Sequence, residues 1–342
     1  MRDVAQRAGV SVATVSNVVN HRDVVAEKTR QRVLAAIEEL GFVRSEPARQ
    51  LRSGHSRIIC LVVPDLGNPF FVDVVQGAED VCRRAGMRVT VVNCARDPGR
   101  QAACLALWAQ RKAEGVLLAP VGPVPAYPAA LRQQRIPLVL VDAATAGAGV
   151  CSVSVDDRLG GLLAGRHLVG TGHRTVALVG GRIARRQIRD RREGLLAAMA
   201  EAGGPGRPSL VDVPTDGLDT AAGRTAGTRF LDLVPRPTAV VCVNDLLALG
   251  VLQTLLAAGV RVPEDVAVIG HDDIAYAAAA AVPLSSVRRP AGAMGRIAAQ
   301  LLLDEITRSS TDHCHQRVVL RPEVLVRDSS LVSRRTVTEE KT

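Results

Sequence analysis

DVAQRAGVSVATVSNVVN, residues 3–20, decides how the chain opens. Val4, Ala5 and Ala8 fall at i, i+1 and i+4, which makes one face of a short helix over residues 2–8 apolar. Gly9 follows where a left-handed residue ends a helix without steric cost. Ser11 then stands at an N-cap, its hydroxyl suited to accept a backbone N–H of the next turn, and Val15, Val18 and Val19 face inward from the helix it starts. A third helix over about 27–40 repeats the pattern with Val33, Ile37 and Leu40 and stops at Gly41. Three short helices around one miniature core are predicted.

The second helix leaves Val12, Ala13, Thr14, Ser16 and Asn17 outside. A face so small and polar enters a major groove roughly 12 Å wide without steric conflict, as a recognition helix must. Ser11, Thr14, Ser16 and Asn20 offer hydroxyl or amide groups to phosphate oxygens. Val12 and Ala13 suit thymine methyls, and Asn17 can read a base edge. Spacing alone leaves a plain helical hairpin open as the lesser alternative; the residue identities add more. They closely resemble the opening of the lactose/galactose-repressor (LacI/GalR) family, whose D-V-A-x-x-A-G-V-S-x-x-T-V-S-x-V-x-N pattern forms a DNA-reading unit. Two departures stand out. Met1 directly precedes Arg2, without the capping Thr and apolar residue usual in the family, and Ala26 replaces the common Ser cap of helix 3, a loss of about 1 kcal/mol.

After Phe42 the segment RSEPARQLRSGHSR is polar and basic, with Pro47 suited to a first helical turn and Gly54 to a stop. It fits an ordinary interdomain tether, and it also resembles the family's hinge helix. That resemblance implies that Ala48, Arg49, Gln50 and Leu51 form a short helix, that Leu51 wedges between base steps of the minor groove, and that Arg52 reaches phosphate or groove.

From residue 58 onward, strand-like runs (IICLVVP, RVTVVNC, GVLLAP, PLVLVD, then RTVALVG, TAVVCV, DVAVIG) alternate with amphipathic helical stretches. This alternation predicts two doubly wound α/β lobes with parallel sheets and a ligand between them at the strand C-termini. The expected fold class is thus an all-α helix-turn-helix headpiece joined to a bilobal sensor like a periplasmic binding protein. The expected divisions are a headpiece over 1–44, a linker over 45–57, a sensor over 58–330 and a tail over 331–342. Within the sensor, the first lobe takes about 58–156 and 289–316, and the second about 157–288 and 317–330.

Family-like blocks continue to about residue 330, among them DLGNPFFVDVVQGAED, SVDDRLGGLL, RREGLLAAM, VCVNDLLALG and VIGHDD. The resemblance implies effector contacts at Phe70, Phe71, Asp156, Arg191, Asn244 and Asp272. Each except Asp272 has a plainer alternative: lobe core for the phenylalanines, helix caps for Asp156 and Asn244, a solvated charge for Arg191. Polar groups converging in a cleft suit a polyhydroxylated ligand, a sugar or sugar derivative. His271 stands where relatives frequently carry an aromatic, Leu218 near a position that can carry one and Ala291 where some relatives have Phe, and the chain has only seven aromatic side chains with which to stack on a flat ring. The segment RIARRQIRDRR, residues 182–192, holds six Arg. It is either a solvated basic helix start or an anion clamp, in which Arg185 or Arg186 acts with Arg191 on a phosphorylated or carboxylated effector.

Composition limits the alternatives. Lys and Arg outnumber Asp and Glu by 43 to 34, which permits a polyanionic partner without proving one, since nearly all the cations are Arg in an Ala-, Gly- and Val-rich chain. The seven Cys form no CxxC pair and read as reduced core thiols. His313-Cys314-His315 lacks further ligands at suitable spacing, so no metal is assigned, and no cofactor either. No apolar signal or membrane-length stretch occurs, so a cytoplasmic protein is expected. An enzyme is disfavoured by the absence of a P-loop, a GxSxG elbow and a GxGxxG turn. A solute-binding protein without DNA function is disfavoured by the headpiece. The expectation is a transcriptional regulator, a repressor by family habit, bound to a pseudo-palindromic operator as a homodimer, with tetramers known in the family.

Overall fold

The computed structural model describes residues 1–20, 24–42, 56–123, 127–144, 149–180, 185–203, 208–307 and 313–331. The chain divides into two compact units, Met1–Ser56 and Arg57–Thr342.

In the first unit, α1 spans Arg2–Ala8, α2 Val12–Asn20 and α3 Glu27–Glu39. Gly9 takes the left-handed conformation (φ 62°) that ends α1, and the Ser11 hydroxyl accepts the Thr14 N–H at 3.1 Å to cap α2. Val4, Val15, Val18 and Val33 are fully buried at the centre of this small core. The expected inward Leu40 is instead 44% exposed. It is the C-cap of α3, past the last turn that the other helices cover, and Ala36 with Ile37 fills the face instead. Gly41 then turns the chain (φ 55°) so that the Phe42 N–H reaches the Ile37 carbonyl and its ring packs on the core. Met1 and Ala26 cap their helices without a side-chain hydrogen bond.

In the second unit, two six-stranded sheets carry the same order. The first uses β1 (Ile58–Val63), β2 (Arg88–Asn93), β3 (Gly115–Leu118), β4 (Leu138–Val141), β5 (Cys151–Val155) and β11 (Arg317–Leu320), arranged β2-β1-β3-β4-β5-β11. The second uses β6 (Thr175–Gly180), β7 (Ser209–Pro214), β8 (Ala239–Cys242), β9 (Ala267–Asp272), β10 (Ser285–Arg288) and β12 (Glu323–Leu325), arranged β7-β6-β8-β9-β10-β12. All pairs are parallel except β10 with β12. Alternate residues of β1 enter different cores: Ile59, Leu61 and Val63 pack with helices 69–84 and 291–307, while Cys60 and Val62 pack with helices 98–110 and 129–133. Both faces are therefore covered, as the unbroken apolar runs require.

The chain changes lobe after β5, after β10, and between Leu320 and Glu323. The last crossing corrects the expected division at 316/317: strand 317–320 pairs with β5 in the first sheet, Arg317 opposite Ser152. Edge strands β7, β11 and β12 and the short strands β5 and β10 gave no sequence signal, because they are brief or half-exposed and interleaved with Ser, Arg, Asp or Glu. Six of the seven cysteines are buried, all seven are free, and Cys314 is exposed. Among the described residues, no helix is long and apolar enough to cross a membrane.

Three helix pairs cross through glycines. A Cβ at Gly161 would overlap the Arg191 carbonyl oxygen, and one at Gly194 that of Arg158; Gly77 with Gly295, and Gly223 with Gly250, play the same part elsewhere. Gly161→Ala is therefore expected to cost about 1–3 kcal/mol in urea unfolding by prising helix 186–201 from helix 157–170. Gly170→Ala, in the same helix with open space around it, should be neutral or gain about 0.5 kcal/mol. Equal effects of the two changes would show that the crossing is not close-packed.

Candidate functional site

The headpiece presents Ser11, Val12, Ala13 and Asn17 exposed, with Thr14 and Ser16 half-buried. The Thr14 and Ser11 hydroxyls share a hydrogen bond at 2.9 Å, so these two side chains are organised by the helix start. Asn20 ends α2. Ala48, Leu51 and Arg52 lie outside the described residues.

In the sensor unit, the C-terminal ends of both sheets border a cavity of about 570 Å³. This is where doubly wound sheets bind ligands, because the strand order reverses beside the first strand and parts the flanking loops. Of the residues expected there, Phe70, Phe71, Arg185, Arg191, Asn244 and Asp272 line the cavity and Asp156 does not. Asp156 caps helix 157–170, accepting the Leu159 N–H at 2.9 Å, and its neighbour Asp157 faces the cavity instead. In a consecutive Asp pair, sequence does not show which side chain the helix start turns inward.

The centre of the site is Arg289, a residue the sequence reading passed over. Its side chain is 3% exposed, and its guanidinium donates to Asp272 Oδ1 at 3.0 Å and to Asp142 Oδ1. Its Cζ lies 4.1 Å from the ring centroid of Phe70, a cation–π contact. Asn68 Nδ2 donates to the other Asp272 oxygen at 3.2 Å, and Gln187 Nε2 donates to Asp142 Oδ2 at 2.9 Å. Asn68 and Asp142 follow strands of the first sheet, while Asp272 ends β9 and Gln187 lies beyond β6 in the second lobe. The network thus ties lobe to lobe. Both carboxylates sit on strained backbone, Asp142 at φ 55° and Asp272 at φ 117°, conformations that cost of order 1–3 kcal/mol each and gather at ligand sites. Burial, opposed by Arg289, pushes Asp142 up to about 6. Arg289 is held charged: burial works against it, and the carboxylates of Asp142, Asp272 and Asp157 outweigh that burial.

A second pair backs the first. Arg191 donates to Asp157 through Nε at 2.9 Å and Nη2 at 2.8 Å, and through Nη1 to the Val243 carbonyl. Asn244 accepts the Leu247 N–H and donates to the Leu218 carbonyl, capping helix 245–257 while lining the cavity. His271 is buried behind Asp157, with its Nε2 3.9 Å away and its pKa pushed well down by burial and by Arg191 and Arg289. Beneath Asp272, Asp245 is fully buried and accepts from Ser286 Oγ and the Ile274 N–H, and burial with the nearby Asp272 pushes it up to about 7.

The anion clamp does not assemble as expected. The Arg191 fork is used by Asp157, and Arg186 pairs with Asp190 and the Ala144 carbonyl. Asn68, Asp142, Asp157, Gln187 and Arg289 are the site residues that sequence reading missed. The available signal was positional, since Asp142 and Arg289 immediately follow the C-terminal ends of β4 and β10.

Because the folded pKa of Asp142 lies above its ordinary 3.8, its contribution to stability is fully present below about pH 4 and lost as pH rises through about 6. Asp142→Asn should remove that loss. Urea unfolding at about pH 4 and about pH 7 is expected to differ between variant and parent by on the order of 2–3 kcal/mol in pH sensitivity. Identical pH profiles would contradict the burial of this carboxylate.

Comparison with known proteins agrees with this architecture. Residues 1–45 match the family described as bacterial regulatory proteins, lacI family, and residues 166–330 match the periplasmic binding protein-like domain. Over 335 residues the chain is 33% identical to the HTH-type transcriptional repressor PurR of Yersinia pestis (strain Pestoides F), covering 96% of each chain. A LacI family transcriptional regulator from Enterococcus faecium, solved with bound ribose, superposes with a TM-score of 0.72 at 29% identity, over 80% of this chain and 98% of that one. The lac repressor dimer bound to operator and the anti-inducer ONPF has the same fold, with a TM-score of 0.80 at 24% identity over 96% of this chain and 98% of that one. The homologues are repressors rather than enzymes. On this agreement of headpiece, sensor and overall identity, the chain belongs to the LacI family of DNA-binding transcriptional repressors.

Proposed function

We propose that the interlobe cavity takes a neutral sugar or sugar derivative and that its occupancy controls binding of a homodimer to a pseudo-palindromic operator. The observation that carries the ligand class is charge balance. Five Asp and five Arg line the cavity, and most are already paired with one another. A hydroxyl both donates and accepts, so a polyhydroxylated ligand can bridge carboxylate and guanidinium without upsetting these pairs. A phosphate would need an uncommitted cation. Among the described lining cations only Arg185 has no partner in a salt bridge; burial and the like charge of Arg96, itself paired with Asp65, both work against its charge, so adding an anion there has one half-buried guanidinium to rely on. A flat heterocycle would need an aromatic face, but the Phe70 ring carries Arg289, Phe71 packs edge-on against Phe70 at 5.1 Å, and Leu218 supplies no ring. The ribose bound to the Enterococcus faecium relative has the chemistry proposed here.

On the DNA side, Val12, Ala13 and Asn17 form the exposed reading face beside Ser11, Thr14 and Ser16; the family resemblance adds Asn20 as a phosphate contact and Ala48, Leu51 and Arg52 as minor-groove contacts. One headpiece offers too little surface for operator-level affinity, which is the physical reason for pairing two on a two-fold site.

Calorimetric titration of the full chain with pentoses, hexoses, disaccharides, their phosphate esters and free nucleobases tests the ligand class. A neutral sugar should bind, and Asn68→Ala should weaken it roughly 10–100-fold, the worth of a hydrogen bond to a charged group. Preference for a phosphate ester or a base would overturn the reading. In gel-shift titrations with a selected palindrome, Asn17→Ala should cost about 1–3 kcal/mol and relax discrimination at one base pair. Parental affinity and selectivity in that variant would remove α2 from base reading.

A further inference from the structure

The fold gathers four metal-ligating side chains far from the cavity. Cys151 starts β5, Glu305 lies in the last turn of helix 291–307, and His313 and His315 precede β11. Because β11 pairs with β5, Gln316 lies across from Cys151: Ser152 donates to the Gln316 carbonyl at 2.9 Å, and the Gln316 N–H donates to Cys151 Sγ at 3.3 Å. Cys151 Sγ is 3.1 Å from His313 Nε2 and 3.8 Å from His315 Nδ1, and His313 Nε2 is 3.8 Å from Glu305 Oε2. One ligand atom from each of the four lies within 4.8 Å of all the others. In the sequence the His-Cys-His run lacks further ligands at suitable spacing. The two that complete it come from more than a hundred residues upstream and from the preceding helix.

We propose that Cys151, Glu305, His313 and His315 form a tetrahedral site for a borderline-soft divalent ion of the zinc class. Bonds of about 2.0–2.3 Å to sulfur, nitrogen and oxygen place tetrahedral ligand atoms roughly 3.3–3.8 Å apart, near the 3.1, 3.8 and 3.8 Å separations here and within reach of the remaining ones, none above 4.8 Å. The donor set is thiolate, carboxylate and two neutral imidazoles, so a dication brings the buried cluster to zero net charge as the thiol proton leaves to solvent. Packing also leaves a demand that a metal meets. The His313 side chain is 3% exposed, and Glu305 Oε2 is buried without a hydrogen-bond partner, a costly state for a carboxylate oxygen. Cys151 is fully buried while His315 is exposed, so an ion has a way in from one side. The Gln316 N–H is already in place as an outer partner of the sulfur.

The site lies at the opposite end of the first sheet from the cavity, the end where β1 begins. Bound metal would clamp edge strand β11 and the end of helix 291–307 to β5. It would fix the border of the lobe through which the chain enters the sensor.

The test uses the full chain, stripped with chelator and dialysed against Zn²⁺ and, separately, Co²⁺. One ion per chain is expected, and the cobalt form should show the absorption of a sulfur-to-cobalt charge transfer. Cys151→Ser should abolish that band, and His313→Gln should weaken binding by at least roughly 100-fold, since even outer partners of a metal cost 10–100-fold. Cys314→Ser, which changes the exposed neighbour, should leave both intact. Failure of the parent chain to retain either ion would overturn the proposal. So would binding that survives Cys151→Ser and His313→Gln, or a band lost with Cys314 rather than Cys151. The parent and Cys314→Ser results decide the matter even if another variant folds poorly.

Discussion

Arg289 is the point at which the two lobes become one device. A single guanidinium with 3% of its side chain exposed holds Asp272 of the second lobe and Asp142 of the first, while Asn68 reaches across to the far oxygen of Asp272. Stripping water from three charges costs several kcal/mol per ion, and the cost is met only because every carboxylate oxygen here has a donor. A ligand whose hydroxyls add to these carboxylates and guanidiniums while leaving the pairs intact would bear on both lobes at once. That gives chemistry in the cleft a mechanical outlet without invoking any special pathway. The strained backbone at Asp142 and Asp272 points the same way: the chain accepts an unfavourable local conformation in order to aim both carboxylates.

Around that bridge the fold is built twice. Each sheet runs in the same strand order, and three helix pairs close through glycines that let backbones approach to carbonyl contact. Close-packed pairs of this kind make each lobe a stiff block, which is what transmission of a change at the cleft by rotation of lobes would require. The repressor's headpiece is the opposite kind of object. It has a core of a few valines and alanines, lacks a side-chain cap at Ala26 and presents a small-sided reading helix.

Most of this architecture was legible in the sequence, and the gaps have physical causes. Six of the seven strands that announced themselves carry apolar runs, because strands buried on both faces cannot alternate, while the half-exposed edge strand β2 showed through its run of Val. The five that stayed hidden are short or lie at edges where Ser, Arg and Glu are free to face water. In the headpiece, capping chemistry at Gly9 and Ser11 fixed the helix limits, while Leu40 was misplaced because periodicity carries no information about where a neighbouring helix ends. In the cleft, six of the seven expected residues line the cavity, and the seventh missed by one position. Arg289, Asp142 and Asn68 were invisible as a group, since nothing local in a sequence reveals a bridge closed between residues 68, 142, 272 and 289. The Cys151–Glu305–His313–His315 cluster was hidden for the same reason, its members joined only by the pairing of β11 with β5.

The direct measure of the coupling is reciprocity. Operator affinity of the full chain, determined with and without a saturating sugar that occupies the cleft, should differ by roughly 5–150-fold, a coupling of about 1–3 kcal/mol. Sugar affinity measured with and without operator should change by the same factor. Operator affinities that stay equal while the cleft is demonstrably filled would contradict control of DNA binding through the Arg289 bridge.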